Sequence, residues 1–151
     1  MRRCLGREPR SRITIAARDA AGRPSVIENP PLLDDGTPMP TRYWLVDPGL
    51  VRRIGTIEAA GGVDEAEAAV GLAVIAEVHR RAAVSRDEAL PAGYRGPVPS
   101  GGVGGTRVGV KCLHAHYANL LAGADDPVGR WVRERLEAGT PASSGVAEAR
   151  R

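Results

Sequence analysis

Phenylalanine is absent, and aromatic residues make up only 3% of the 151-residue chain. The core must therefore be built from Ala, Val, Leu and Ile, with Trp44, Trp131, Tyr43, Tyr94 and Tyr117 as its few large anchors. Cysteine is scarce as well. Cys4 and Cys112 stand far apart, which excludes a disulfide framework and makes a reduced, cytoplasmic protein the expectation. No apolar run approaches the ~20 residues that span a bilayer, so no membrane partner is expected. The opening MRRCLGREPRSR carries charge with no apolar segment behind it, which does not fit a secretory signal. Lysine occurs once, at Lys111, so 20 of the 21 basic residues are arginine.

The composition that remains is that of a folded globule. Hydrophobic residues reach 42%, and the length suits one domain with a sizeable core. The excess of positive charge gathers at the start, in Arg2, Arg3, Arg7, Arg10 and Arg12. Residues 1–12 read as a solvated Arg-rich arm. No aromatic residues are interleaved for base stacking, so nucleic acid is not the expected partner.

Residues 13–138 read as a single α+β domain. Ile13–Ala17 and Ser25–Glu28 are short strand patterns joined by a Gly-containing turn, and Arg42–Val46 is a third. Prolines at 30, 31, 38 and 40 interrupt the segment between them. Asp47-Pro48 and Asp126-Pro127 are helix starts, each a capping carboxylate followed by a proline suited to the first turn. A second helix is expected from Asp64 to about Ala83, with His79 away from its apolar stripe as a surface or interface group, and a third from Arg107–Val110 to Leu121. Strands first and helices after predict a small antiparallel sheet covered by about four helices. Residues 139–151 read as a disordered tail.

One stretch concentrates chemistry. SGGVGGTRVGVKCLHAHY, residues 100–117, holds the only lysine, one cysteine and two of the three histidines. Gly101, Gly102, Gly104 and Gly105 permit backbone amides to approach an anion, and Thr106, Arg107 and Lys111 follow. A helix start just beyond adds a favourable dipole. These residues are the parts of a cradle for a phosphate or carboxylate ligand. The spacing matches neither a Walker A loop nor a dinucleotide fingerprint.

Cys112, His114 and His116 are the candidate catalytic groups, with Cys112 as nucleophile or metal ligand and His114 or His116 as base. On a helix, Cys112 and His116 share a face with Asn119, while His114 points about 160° from His116. Cys-x-His-x-His is not a zinc spacing, so no metal set and no cofactor are assigned. Three function classes follow: an anion-binding or regulatory domain, a Cys/His hydrolase or transferase that could be metal-assisted, and a protein-binding adaptor.

LGREPR, GRPSVIENPPLLDDGTPMPTRYWLVDPGL, IEAAGG and PSGGVGGTRVGVKCLHAHYANLLAGADDPVG together resemble the actinobacterial family called domain of unknown function 501. The resemblance implies a small bacterial cytoplasmic protein with no established activity. Neighbouring genes in that family, for a septum-formation initiator and an exopolyphosphatase, suggest a link of the adaptor reading to cell division. The family pattern has Cys-x-Cys-Gly where this chain has Asp19-Ala20-Ala21-Gly22, and Cys-Pro where it has Asp47-Pro48. If those thiols hold zinc or an iron–sulfur cluster, this chain lacks the set, and its two aspartates would favour a harder metal.

Overall fold

A computed structural model describes residues 11–139. The Arg-rich arm through residue 10, Cys4 with it, and the tail from residue 140 lie outside the described residues. Three strands form one antiparallel sheet in the order β1-β2-β3: β1 (Thr14–Arg18), β2 (Pro24–Glu28) and β3 (Tyr43–Leu45). Asp19 makes the β1–β2 turn by accepting the amides of Ala21 and Arg23, each at 2.9 Å. The middle strand buries Ser25, Val26 and Ile27, as a strand with a neighbour on either side should. Asn29 ties the long connection back, donating from its amide nitrogen to Thr41 and from its backbone to Arg42.

Five helices follow among the described residues: α1 (Pro48–Ala59), α2 (Gly62–Val70), α3 (Leu72–Asp87), α4 (Leu113–Leu121) and α5 (Pro127–Ala138). The α+β class and the three short strands are as expected. Asp47 caps α1, accepting from Gly49 and Leu50, and Asp126 caps α5, accepting from Gly129. The single helix expected from Asp64 to Ala83 is two helices. Gly71 breaks it with φ 90° and ψ 140°, a conformation open to glycine and closed to a continuing helix. The third expected helix starts later than Arg107–Val110. Gly109 has φ 67° and Cys112 is extended, so the helix begins only at Leu113.

The main core joins Ile54 of α1, Ala66 of α2, Ile75 of α3, Leu113 and Tyr117 of α4, and Val128, Val132 and Leu136 of α5. A smaller cluster of Val78, Val103 and Ala115 lies beside it. Helix α4 is the hub. It packs on β3, α1 and α5, and buries Leu113 and Ala115 through Asn119. A short helix buried on nearly every side places its polar side chains where each must find a partner. No described helix is long and apolar enough to cross a membrane.

Candidate functional site

The start of α4 has an unusual cap. Cys112 occupies the capping position, with φ −153° and ψ 149°, and makes no side-chain bond to the helix amides. A carboxylate from another helix takes over: Oε1 of Glu58, near the end of α1, accepts the Leu113 amide at 2.6 Å. The same oxygen lies 3.1 Å from His114 Nδ1. His114 Nε2 lies 2.9 Å from the Val51 carbonyl, also on α1. One ligand atom from each of Glu58, Cys112 and His114 lies within 4.8 Å of the other two. All three side chains are half-buried.

With oxygen acceptors at both ring nitrogens, His114 carries both hydrogens and is an imidazolium. Its hydrogen bond with Cys112, the Val51 carbonyl and the Glu58 charge outweigh partial burial and push its pKa up to about 9. The site therefore holds positive charge between a carboxylate and a thiol. A cavity of about 460 Å³ opens beside it, lined by Cys112, His114, Lys111, Tyr43 and Trp44 among others.

His116 does not join this group. Because Cys112 stands outside the helix, the four-residue spacing that would align it with His116 does not apply, and His114 is the histidine at its side. His116 is sealed from solvent and donates from Nδ1 to Asp126, 2.9 Å from Oδ2. Asp126, equally sealed, also accepts from Asn119 Nδ2 at 3.0 Å and from the Gly129 amide at 3.0 Å. Three donors compensate a buried carboxylate. His116 Nε2 has no hydrogen-bond partner among the described residues.

His79 is a core residue, 5% exposed, in place of the expected surface or interface position. It accepts the Val103 amide at Nδ1 (3.1 Å) and donates from Nε2 to the Gly109 carbonyl (2.7 Å). Burial lowers its pKa below the ordinary histidine value, and the charge of a protonated His116 would act in the same direction. Its ring lies 5.7 Å from that of His116. The glycine loop is folded around this imidazole. A Cβ on Gly102 would lie 2.4 Å from His79 Cα, so only glycine fits there.

Most of the loop amides are already engaged. Gly102 donates to the Thr106 carbonyl, Val103 to His79, Gly105 to Gly102 and Thr106 to Val103. Lys111 Nζ turns back on the Gly104 carbonyl at 3.3 Å, Arg107 is exposed, and Gly101 offers its carbonyl to the buried guanidinium of Arg86. Lys111 and Gly104 border the same cavity as Cys112 and His114; Gly101, Gly102, Gly105, Thr106, Arg107 and His116 do not.

The family described as protein of unknown function (DUF501) matches residues 15–134. The chain belongs to this family. Neither a curated protein nor a solved structure matches it. Its DUF501 span includes Glu58, Cys112 and His114. At the two positions where the resemblance implies thiols, the aspartates have local duties: Asp19 shapes the β1–β2 turn and Asp47 caps α1.

Glu58 was not legible as a site residue. It is 55 residues from the amide it caps, and nothing in its own helix marks it. Asp126 announced itself as a cap, and its second role, holding His116, needed the packing of α4 against α5.

Proposed function

We propose that Glu58, Cys112 and His114 bind a zinc-class divalent cation, and that the ion serves hydrolytic or group-transfer chemistry in the adjoining cavity. The observation that carries this is the convergence of a carboxylate, a sulfur and an imidazole within 4.8 Å of one another. Mixed oxygen, sulfur and nitrogen donors suit zinc. The Val51 carbonyl, accepting from His114 Nε2–H, supplies the outer hydrogen bond that orients a ligating imidazole. The ion takes the place of the Nδ1 proton. Three protein ligands leave a fourth position for water or substrate, as in catalytic zinc sites.

The arrangement supports a thiol nucleophile less well. A thiol–imidazole–carboxylate relay sets thiol and carboxylate at opposite ring nitrogens. Here the nitrogen opposite Glu58 is occupied by the Val51 carbonyl, and a doubly protonated imidazole is no base. The glycine loop also offers an anion little, since four of its amides already have acceptors.

Titration of the metal-stripped protein with cobalt(II) tests the centre. The expected result is thiolate-to-cobalt charge-transfer absorption saturating at one ion per chain, displaced by zinc and lost in Cys112→Ser. No such band, or an unchanged band in Cys112→Ser, overturns the proposal. Hydrolysis of p-nitrophenyl acetate and p-nitrophenyl phosphate by the zinc-loaded protein then tests the chemistry. Turnover absent from Cys112→Ser supports it; equal rates in both proteins overturn it.

A further inference from the structure

A second cavity, of about 240 Å³, adjoins the first. The two share Thr41, Tyr43, Gly104 and Ala115 as lining, so these residues form a common wall. Gly104 stands in that wall with φ 66°. A Cβ there would reach 3.4 Å from Ala115 Cβ and 3.8 Å from Lys111 Cδ. A side chain at this position would be strained and would thicken the wall the two cavities share. Glycine keeps it bare.

The second cavity is lined by three guanidiniums, Arg42, Arg81 and Arg86, and one carboxylate, Asp125. Arg86 is 2% exposed and committed to the fold, donating to the carbonyls of Pro40, Pro99, Ser100 and Gly101. Arg42 and Arg81 are brought to one face of α3. Arg42 pairs with Glu28 through Nε and Nη2, each at 2.9 Å, and donates from Nη1 to Ser85, which stands one helical turn beyond Arg81 on that face. Arg81 donates from Nε to Glu77 Oε1 at 2.9 Å, an acid it shares with Arg80, while Asp125 is held by Arg130. The contact of Arg81 with Asp125, at 3.6 Å, is too long for a hydrogen bond. An entering oxyanion can displace that contact while Asp125 keeps Arg130.

We infer that this cavity is an oxyanion subsite. Arg81 and Arg42 grip a phosphate or carboxylate group, and the rest of the same substrate passes Gly104 to the Glu58–Cys112–His114 centre. Guanidinium forks match the geometry of both oxyanions. The span from one cavity to the other rests on the metal-centre reading above; the oxyanion grip does not.

The test uses the full chain and two probes. Inorganic phosphate and acetate are titrated into metal-stripped protein and followed by amide chemical shifts. Phosphate or acetate should shift residues 81–86 and 41–43, and Arg81→Gln should weaken binding at least tenfold while leaving the circular dichroism unchanged. Arg42→Gln should act in the same direction. Cys112→Ser and Lys111→Ala should leave phosphate binding intact. Whichever probe binds more tightly names the group. No binding of either, equal binding in Arg81→Gln, or loss of binding in Lys111→Ala overturns the subsite, whatever the cobalt titration gives. In cobalt-loaded protein, phosphonoacetate, anionic at both ends, should perturb the cobalt spectrum in an Arg81-dependent way. A perturbation indifferent to Arg81→Gln overturns the shared substrate and leaves the metal centre standing.

Discussion

Glu58 caps a helix to which it does not belong: its Oε1 accepts the Leu113 amide at 2.6 Å, joining the end of α1 to the start of α4. A carboxylate at a helix start is favoured by the free amides and by the dipole. Glu58→Ala should destabilise the metal-free protein by about 1 kcal/mol, the usual cost of a lost cap. Glu58→Gln keeps an acceptor oxygen and should stay near wild type. Urea unfolding separates the two. Both variants should weaken cobalt binding by about tenfold or more, on the scale of altered metal surroundings. Equal stability of Ala and wild type would remove the cap from the account.

Asp126→Ala should be among the most damaging single changes. It strips His116, Asn119 and the Gly129 amide of one acceptor, all in a sealed interior. Breaking a buried polar set by removing one partner costs about 3–5 kcal/mol. The midpoint of urea unfolding should fall accordingly, with the slope unchanged. A loss close to that of a surface substitution would contradict this burial.

Arg86→Met preserves side-chain bulk and removes the donor that gathers the carbonyls of Pro40, Pro99 and Gly101. Each orphaned buried acceptor costs about 1–3 kcal/mol, less where water can enter. An overall loss of about 3 kcal/mol is expected. Amide exchange should quicken first in residues 99–106, the segment this guanidinium pins against the connection before β3.

Acid should destabilise the fold through His79. Its pKa is lowered in the native protein by burial, so below the ordinary value of 6.5 the unfolded chain takes up a proton that the folded one resists. The groups facing it are His116 on α4 and Asp126 on α5. Stability should fall as pH drops from about 6.5 to 5. His79→Gln should flatten that slope. His114 acts oppositely. Raised to about 9, it contributes fully below 6.5, and its contribution fades as pH rises toward 9. The metal-free protein should therefore be most stable near neutrality, and a stability rising steadily from pH 6 to pH 9 would contradict the His114 environment.

The sequence made the local features legible and the tertiary ones opaque. Asp47-Pro48 and Asp126-Pro127 mark helix starts because capping is settled within four residues. The strands were readable from short apolar runs between turn residues. Gly71 carries no clear stop signal because an isolated glycine inside a helical pattern is usually tolerated, and only its positive φ makes a break. The start of α4 falls later than the apolar pattern predicts for a related reason: Gly109 and the extended Cys112 hold off the helix until Leu113. That shift decided the site. Helical spacing pairs Cys112 with His116 only if both are helical; with Cys112 outside, it meets His114. Glu58 and the burial of His79 depend on packing between distant segments, for which a single sequence carries no signal.

The shared use of Glu58 gives the Leu113 amide a value as a reporter. A cation that draws the carboxylate toward itself weakens its hold on that N–H, so filling the centre should loosen the first turn of α4. The resonance and exchange rate of one backbone proton would then reveal occupancy without any coloured ion or any assay of turnover.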